Sequence, residues 1–135
     1  MSRMIRPPSS VLLLVGREDF APPTSFGGAP CVATSDCVAV AVRSVDDGPT
    51  LAELTDDASR DGLADLVRLG SFEIESEGLL VLRDIYSREY ETVGVEAGRV
   101  RVDVLGDDDS EPGHVVLVVG GAPPGVRRPD LRSPA

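Results

Sequence analysis

The sequence predicts an all-β fold, a sandwich or partly open barrel of about seven or eight short strands with one short helix near residues 56–67. Three observations predict it. The 135 residues suit one domain large enough to bury a core without disulfides or metals. Hydrophobic residues make up 41% of the chain but aromatic ones only 4%, so the core is built from valine and leucine, and valine's branched β-carbon favours strands. Apolar residues recur at period two or in short unbroken runs, and glycine, proline and aspartate separate the runs.

Taken in order, residues 1–10 and 120–135 are rich in proline, glycine, serine and arginine, lack apolar periodicity, and are expected as flexible tails around a single β domain at 11–119. Residues 11–15, VLLLV, form the first strand. The prolines and glycines of GREDFAPPTSFGGAP exclude regular structure after it. Residues 37–43 follow as a strand, and the turn signal DDGP precedes another at 50–54. Asp56 and Asp57 cap the expected helix, which presents Leu63, Leu66 and Val67 to the core, although Gly62 interrupts it. Phe72 and Ile74 alternate with Ser71, Glu73 and Glu75, and the turn SEG then joins them to a strand at 79–86 as an expected hairpin. A strand at 92–95 precedes residues 99–105, where Val100, Val102 and Val104 face opposite to Arg99, Arg101 and Asp103. Residues 115–119 are apolar on both faces and therefore covered on both.

Charge narrows the function. All 13 cationic residues are arginine, against 23 acidic ones, for a net charge of −10. Without the two expected tails, 8 arginines face 22 acids, a body of −14. Such a body repels phosphate backbones, so nucleic-acid binding is not expected. It attracts basic partners, and it also serves solubility. The apolar run at 11–15 follows a proline pair and is shorter than the roughly 7–15 residues of a signal peptide, and no stretch nears the roughly 20 needed to span a bilayer. The expected location is cytoplasmic.

Cys37 and Arg43 have the bare spacing of the cysteine phosphatase signature. That signature needs a tight loop whose backbone N–H groups converge on phosphate. VAVAV between them contains no glycine, and a strand there would hold the two residues about 20 Å apart at ~3.3 Å per residue. Cys31 and Cys37 with a lone His114 do not supply zinc's four ligands. A local disulfide between the cysteines is sterically feasible but disfavoured in a reducing compartment. Asp107, Asp108, Asp109 and Glu111 offer oxygen ligands without the EF-hand spacing, and they read as a solvated turn. No Gly-x-Ser-x-Gly, Ser-x-x-Lys or P-loop occurs. No catalytic residue, metal or cofactor is expected, and a hydrolase built on His114 with Asp84 or Asp36 ranks last among the readings.

The stretch DIYSREYE concentrates Tyr86, Arg88 and Tyr90 at a strand connection, residue types enriched in binding hot spots. With Asp107, Asp108 and Asp109 they form the expected binding set.

From Phe72 to Val119, the order SFEIESEGLLVLRD, VEAGRVRVDV, EPGHVVLVV resembles small actinobacterial all-β proteins of unknown function. The resemblance implies a bacterial all-β sandwich and supplies no catalytic residue. The favoured expectation is a non-catalytic acidic protein that engages a basic protein partner as an inhibitor or immunity-type protein does. The alternative is a small-molecule or carbohydrate-binding module using a sheet face or the loop of Phe20 and Phe26. Glu73, Glu75, Arg99 and Arg101 are expected to guard strand edges, and a homodimer is left open.

Overall fold

The valine-rich runs pair into two five-stranded sheets in the computed structural model, which describes residues 2–57 and 62–120. The described residues hold ten strands: β1 Ser2–Ile5, β2 Val11–Val15, β3 Cys31–Ala33, β4 Cys37–Ala41, β5 Thr50–Thr55, β6 Val67–Ser76, β7 Leu79–Arg83, β8 Glu89–Gly94, β9 Gly98–Gly106 and β10 His114–Val119. One sheet runs β1-β5-β10-β9-β6 and the other β3-β4-β2-β7-β8. Every pairing is antiparallel except β5 with β10. The all-β sandwich class is as expected.

Four details differ. Residues 2–5, expected within a tail, pair with β5 in the register Ile5 to Thr50, because Ile5 alone buries enough to anchor a strand too short to show a period. The three-residue β3 is likewise too short to read between its proline and turn residues. In place of the expected helix near 56–67, the described residues hold a single 3-10 turn, Leu63–Asp65, entered through Gly62 in the left-handed region; residues 58–61 lie outside the described part. The turn after Ser76 does not make a hairpin: β6 pairs with β9 and β7 with β2 and β8, so this turn carries the chain from one sheet to the other. The expected C-terminal tail lies beyond residue 120, apart from Gly120 outside the described residues.

Three apolar layers result. Between the sheets pack Leu12, Leu14, Val38, Val40, Val102 and Leu117, with others of the same parity. The outer face of the β2 sheet, with Leu13, Val15, Cys37, Ala39 and Val81, lies under Phe20 and Phe26 of the long loop after β2. The outer face of the β10 sheet, with Leu105, Val116 and Val118, lies under Leu63 and Leu66. Strands covered on both faces read as unbroken apolar runs, which explains VLLLV and HVVLVV.

One margin of the sandwich is stitched. Glu75 N–H donates to Ser35 O at 2.7 Å, Glu77 N–H to Gly16 O at 2.8 Å and Gly16 N–H to Asp36 O at 3.0 Å. Gly16 lies so close to the Glu75 carbonyl that a β-carbon there would overlap it. The opposite margin consists of β1 and β8, and among the described residues no backbone hydrogen bond joins them. Only side chains cross it, with Arg3 Nε 3.3 Å from Glu91 Oε1.

Candidate functional site

The strand registers place three connections at one end of the sandwich. Leu13 pairs with Arg83, Ile5 with Thr50, and Val115 with both Ala52 and Gly106, so the 84–88 turn, the 42–49 connection and the 107–113 loop all emerge there. Arg43 ties the 42–49 connection to the 107–113 loop: its N–H donates to Pro112 O at 3.1 Å, and its guanidinium caps the Pro49 carbonyl through Nε at 3.0 Å and Nη2.

The 84–88 turn is organised by one buried carboxylate. Asp84 Oδ1 accepts from the N–H groups of Tyr86 at 2.8 Å and Arg88 at 3.0 Å, and Oδ2 accepts from the Tyr90 hydroxyl at 2.9 Å. Ser87 sits at φ 69°, which closes the turn. Burial, and then the bond to Asp84, pushes the Tyr90 phenol up to about 12. Tyr86 is thereby turned outward, 76% exposed beside the exposed Ile85, whereas Tyr90 is buried. The Arg88 guanidinium lies 5.8 Å from the Tyr90 ring centroid.

Arg88 and Tyr90 also wall a cleft of about 480 Å³ whose other sides are residues 3–6 and Pro49. Within the expected binding set, then, Tyr86 and Arg88 in the turn and Tyr90 in β8 share the Asp84 carboxylate but have different surroundings. The residues that complete this cleft come from β1, whose brevity concealed it from sequence reasoning.

The acidic loop uses two of its carboxylates on itself. Asp107 Oδ1 accepts from the N–H groups of Gly113 at 3.0 Å and His114 at 3.2 Å. Asp108 Oδ1 accepts from Glu111 N–H at 3.0 Å, Ser110 N–H at 2.8 Å and Ser110 Oγ at 3.0 Å, which holds its carboxyl below the usual range. Asp109 and Glu111 are exposed, as are Asp46 and Asp47 in the neighbouring connection. Among the described residues no three His, Cys, Asp or Glu side chains converge as metal ligands.

The thiols are placed for packing. Cys31 faces the layer between the sheets and Cys37 the outer layer, both free and buried. Burial pushes each up to about 12, with Asp36 adding to the effect at Cys37, so neither is a ready thiolate. Residues 37–41 are a strand, which leaves no anion-cradling loop between Cys37 and Arg43. His114 Nε2 meets Glu53 Oε1 at 3.0 Å in the β5–β10 sheet, while Asp84 ends β7 in the other sheet. The pairing of His114 with Asp84 or Asp36 is therefore not formed: Asp84 is engaged by Tyr90 and its own turn, and Asp36 accepts from Ala21 N–H at 3.0 Å.

A second cleft, of about 300 Å³, lies under the loop after β2. Phe20, Phe26, Leu13, Val32 and Ile85 line it, with Thr24 and Ser25 as hydroxyl donors. The Arg83 guanidinium stacks 5.3 Å from the Phe20 ring centroid and steadies the loop. No family model, curated protein or solved structure matches this chain, so the geometry alone informs its function.

Proposed function

We propose that this protein is a non-catalytic binding protein that presents one end of its sandwich to a basic protein partner, in the manner of an inhibitor or immunity-type protein. One observation carries the reading. Of the five exposed large apolar side chains among the described residues, Met4, Val45, Ile85 and Tyr86 belong to the end that also bears Asp46, Asp47, Asp109 and Glu111, and Leu79 lies at the other. An aromatic anchor within a charged rim is the usual anatomy of a hot spot. The rim steers a basic partner and makes the association salt-sensitive.

The test compares the wild-type chain with Tyr86→Ala and with Asp109→Lys/Glu111→Lys in capture from the native host. Asp109 and Glu111 are chosen because Asp107 and Asp108 shape the loop. Recovery of a basic protein that is lost at moderate salt and with either variant supports the reading. Partners indifferent to salt and to both variants overturn it.

The second reading, a module for a small molecule or carbohydrate, is favoured by the Phe20 and Phe26 cleft, whose size and apolar lining with two hydroxyls fit the lower range of ligand sites. Chemical-shift perturbation with a ligand panel, mapped on Leu13, Val32 and Ile85, separates it from the first.

A further inference from the structure

We propose that the cleft between β1 and β8 is a receptor for an extended acidic peptide segment, which adds as a strand along the open side of β1 and sets its carboxylates on Arg6 and Arg88. This goes beyond the basic partner proposed for the acidic loops and does not rest on it.

The backbone argument comes first. Residues 3–6 are consecutive, and neighbouring side chains of a strand point to opposite faces, yet all four line the cleft. A cleft touching both parities follows the edge of the strand. Among the described residues that edge is open: β1 pairs with β5 alone, whereas the opposite margin of the sandwich is closed by the bonds of Glu75, Glu77 and Gly16. Unpaired backbone groups on an edge are a template for a further strand, in which main-chain bonds supply affinity and flanking side chains supply selectivity.

Charge then selects the occupant. In a chain with 23 acidic residues and 13 arginines, the described residues lining this cleft include three arginines and no carboxylate, with Glu91 beside the lining Arg3. Among the nine described arginines, six meet a carboxylate within 4.0 Å, Arg43 caps a carbonyl, and the remaining two are Arg6 and Arg88, both in this wall. Guanidinium forks match carboxylates in pairs of parallel hydrogen bonds. Charges on an edge strand also discourage uncontrolled pairing, but Arg88 belongs to the turn before β8, in the other sheet, and guards no part of β1. Met4, 57% exposed, and Ile5 give the apolar contacts that alternate with the charges of such a segment.

The test is fluorescence anisotropy of a labelled peptide of alternating glutamate and valine with the full chain at low salt. Binding is expected for this peptide and not for its lysine counterpart. Arg6→Glu and Arg88→Glu, at exposed positions and expected to leave the urea midpoint unchanged, are each expected to weaken it about tenfold, the weight of one charge-assisted pair. Methylating alternate peptide nitrogens, which leaves the protein untouched, is expected to abolish binding in one of the two phases. Absence of binding overturns the proposal. So does equal binding of both methylated peptides, which marks a site for a small anion, and so does a dimer dispersed by Arg88→Glu, which marks a second copy as the occupant.

Discussion

Tyr90 closes onto Asp84, hydroxyl to carboxylate at 2.9 Å, and the other oxygen of the same carboxylate holds the amides of Tyr86 and Arg88. One buried acid therefore sets which way a surface aromatic and a cleft arginine point. Tyr90→Phe removes one bond and leaves the carboxylate its other donors, a loss of about 1–2 kcal/mol. Asp84→Ala strands the buried hydroxyl and frees two turn amides, a loss of about 3 kcal/mol. Urea unfolding reads both as a lower midpoint at unchanged m. A loss below about 0.5 kcal/mol for Asp84→Ala would show that the backbone alone holds the turn.

Alkali should unfold this protein earlier than its net charge alone suggests. Cys31, Cys37 and Tyr90 are each pushed up to about 12, with burial as the first cause in all three. In the unfolded chain thiols titrate at about 8.5 and the phenol at about 10. The unfolded state thus binds fewer protons above about pH 9, and stability falls with pH from there to about 12. The contribution is complete below that window and gone above it. Unfolding free energy measured from pH 8 upward should decline in the wild type and flatten in Cys31→Ala/Cys37→Ala/Tyr90→Phe. A flat wild-type profile would contradict the burial. At neutral pH neither thiol should react with an aromatic disulfide reagent until the chain unfolds.

The stitched margin depends on Gly16, whose α-carbon faces the Glu75 carbonyl at a distance that excludes any side chain. Gly16→Ala must push β6 away from the 35–36 segment and break the bonds of Glu75 and Glu77. The expected cost is about 1–3 kcal/mol, typical of overpacking. Hydrogen exchange should show the Glu75 and Glu77 amides losing protection while Val38 and Leu82, deep in the other sheet, keep theirs. Uniform loss would mean that the margin does not open independently.

The sandwich was legible because its long strands carry their own signal. Residues 99–102 alternate as expected before both faces become buried, and the both-sided burial of β10 could be read from HVVLVV. Two short strands were not legible: Ser2–Ile5 buries one residue deeply and Cys31–Ala33 is three residues long, so neither shows a period. Sheet membership was hidden as well. SEG looks like a hairpin turn, but the outward Glu73 and Glu75 continue a ladder with β9 that excludes β7. That ladder also moves the edge: β6 lies on one, whereas Arg99 and Arg101 are interior to their sheet, and Glu73 approaches Arg99 across strands at 4.0 Å. The Tyr86 and Tyr90 turn was found by composition, but its cleft was missed because half the wall is β1. Asp103 was expected on a solvent face and is fully buried 3.7 Å from Arg68, since a local pattern does not reveal that residues 62–66 cover that face.

That cover has a measurable weight. Leu63 and Leu66 are buried on Leu105, Val116 and Val118, and the described residues of their connection, 56–57 and 62–66, hold a single 3-10 turn and no strand pairing. Burial on that face holds Leu63 and Leu66 in place. Leu63→Ala should therefore cost about 2–4 kcal/mol through lost transfer energy and the cavity left behind. Leu79→Ala, at an exposed position at the far end of the sandwich, should stay within about 0.5 kcal/mol. Equal effects from the two substitutions would mean that the outer face of the β10 sheet does not need its cover. In that case its apolar valines would be exposed for pairing with another molecule, and concentration-dependent light scattering of Leu63→Ala would reveal it.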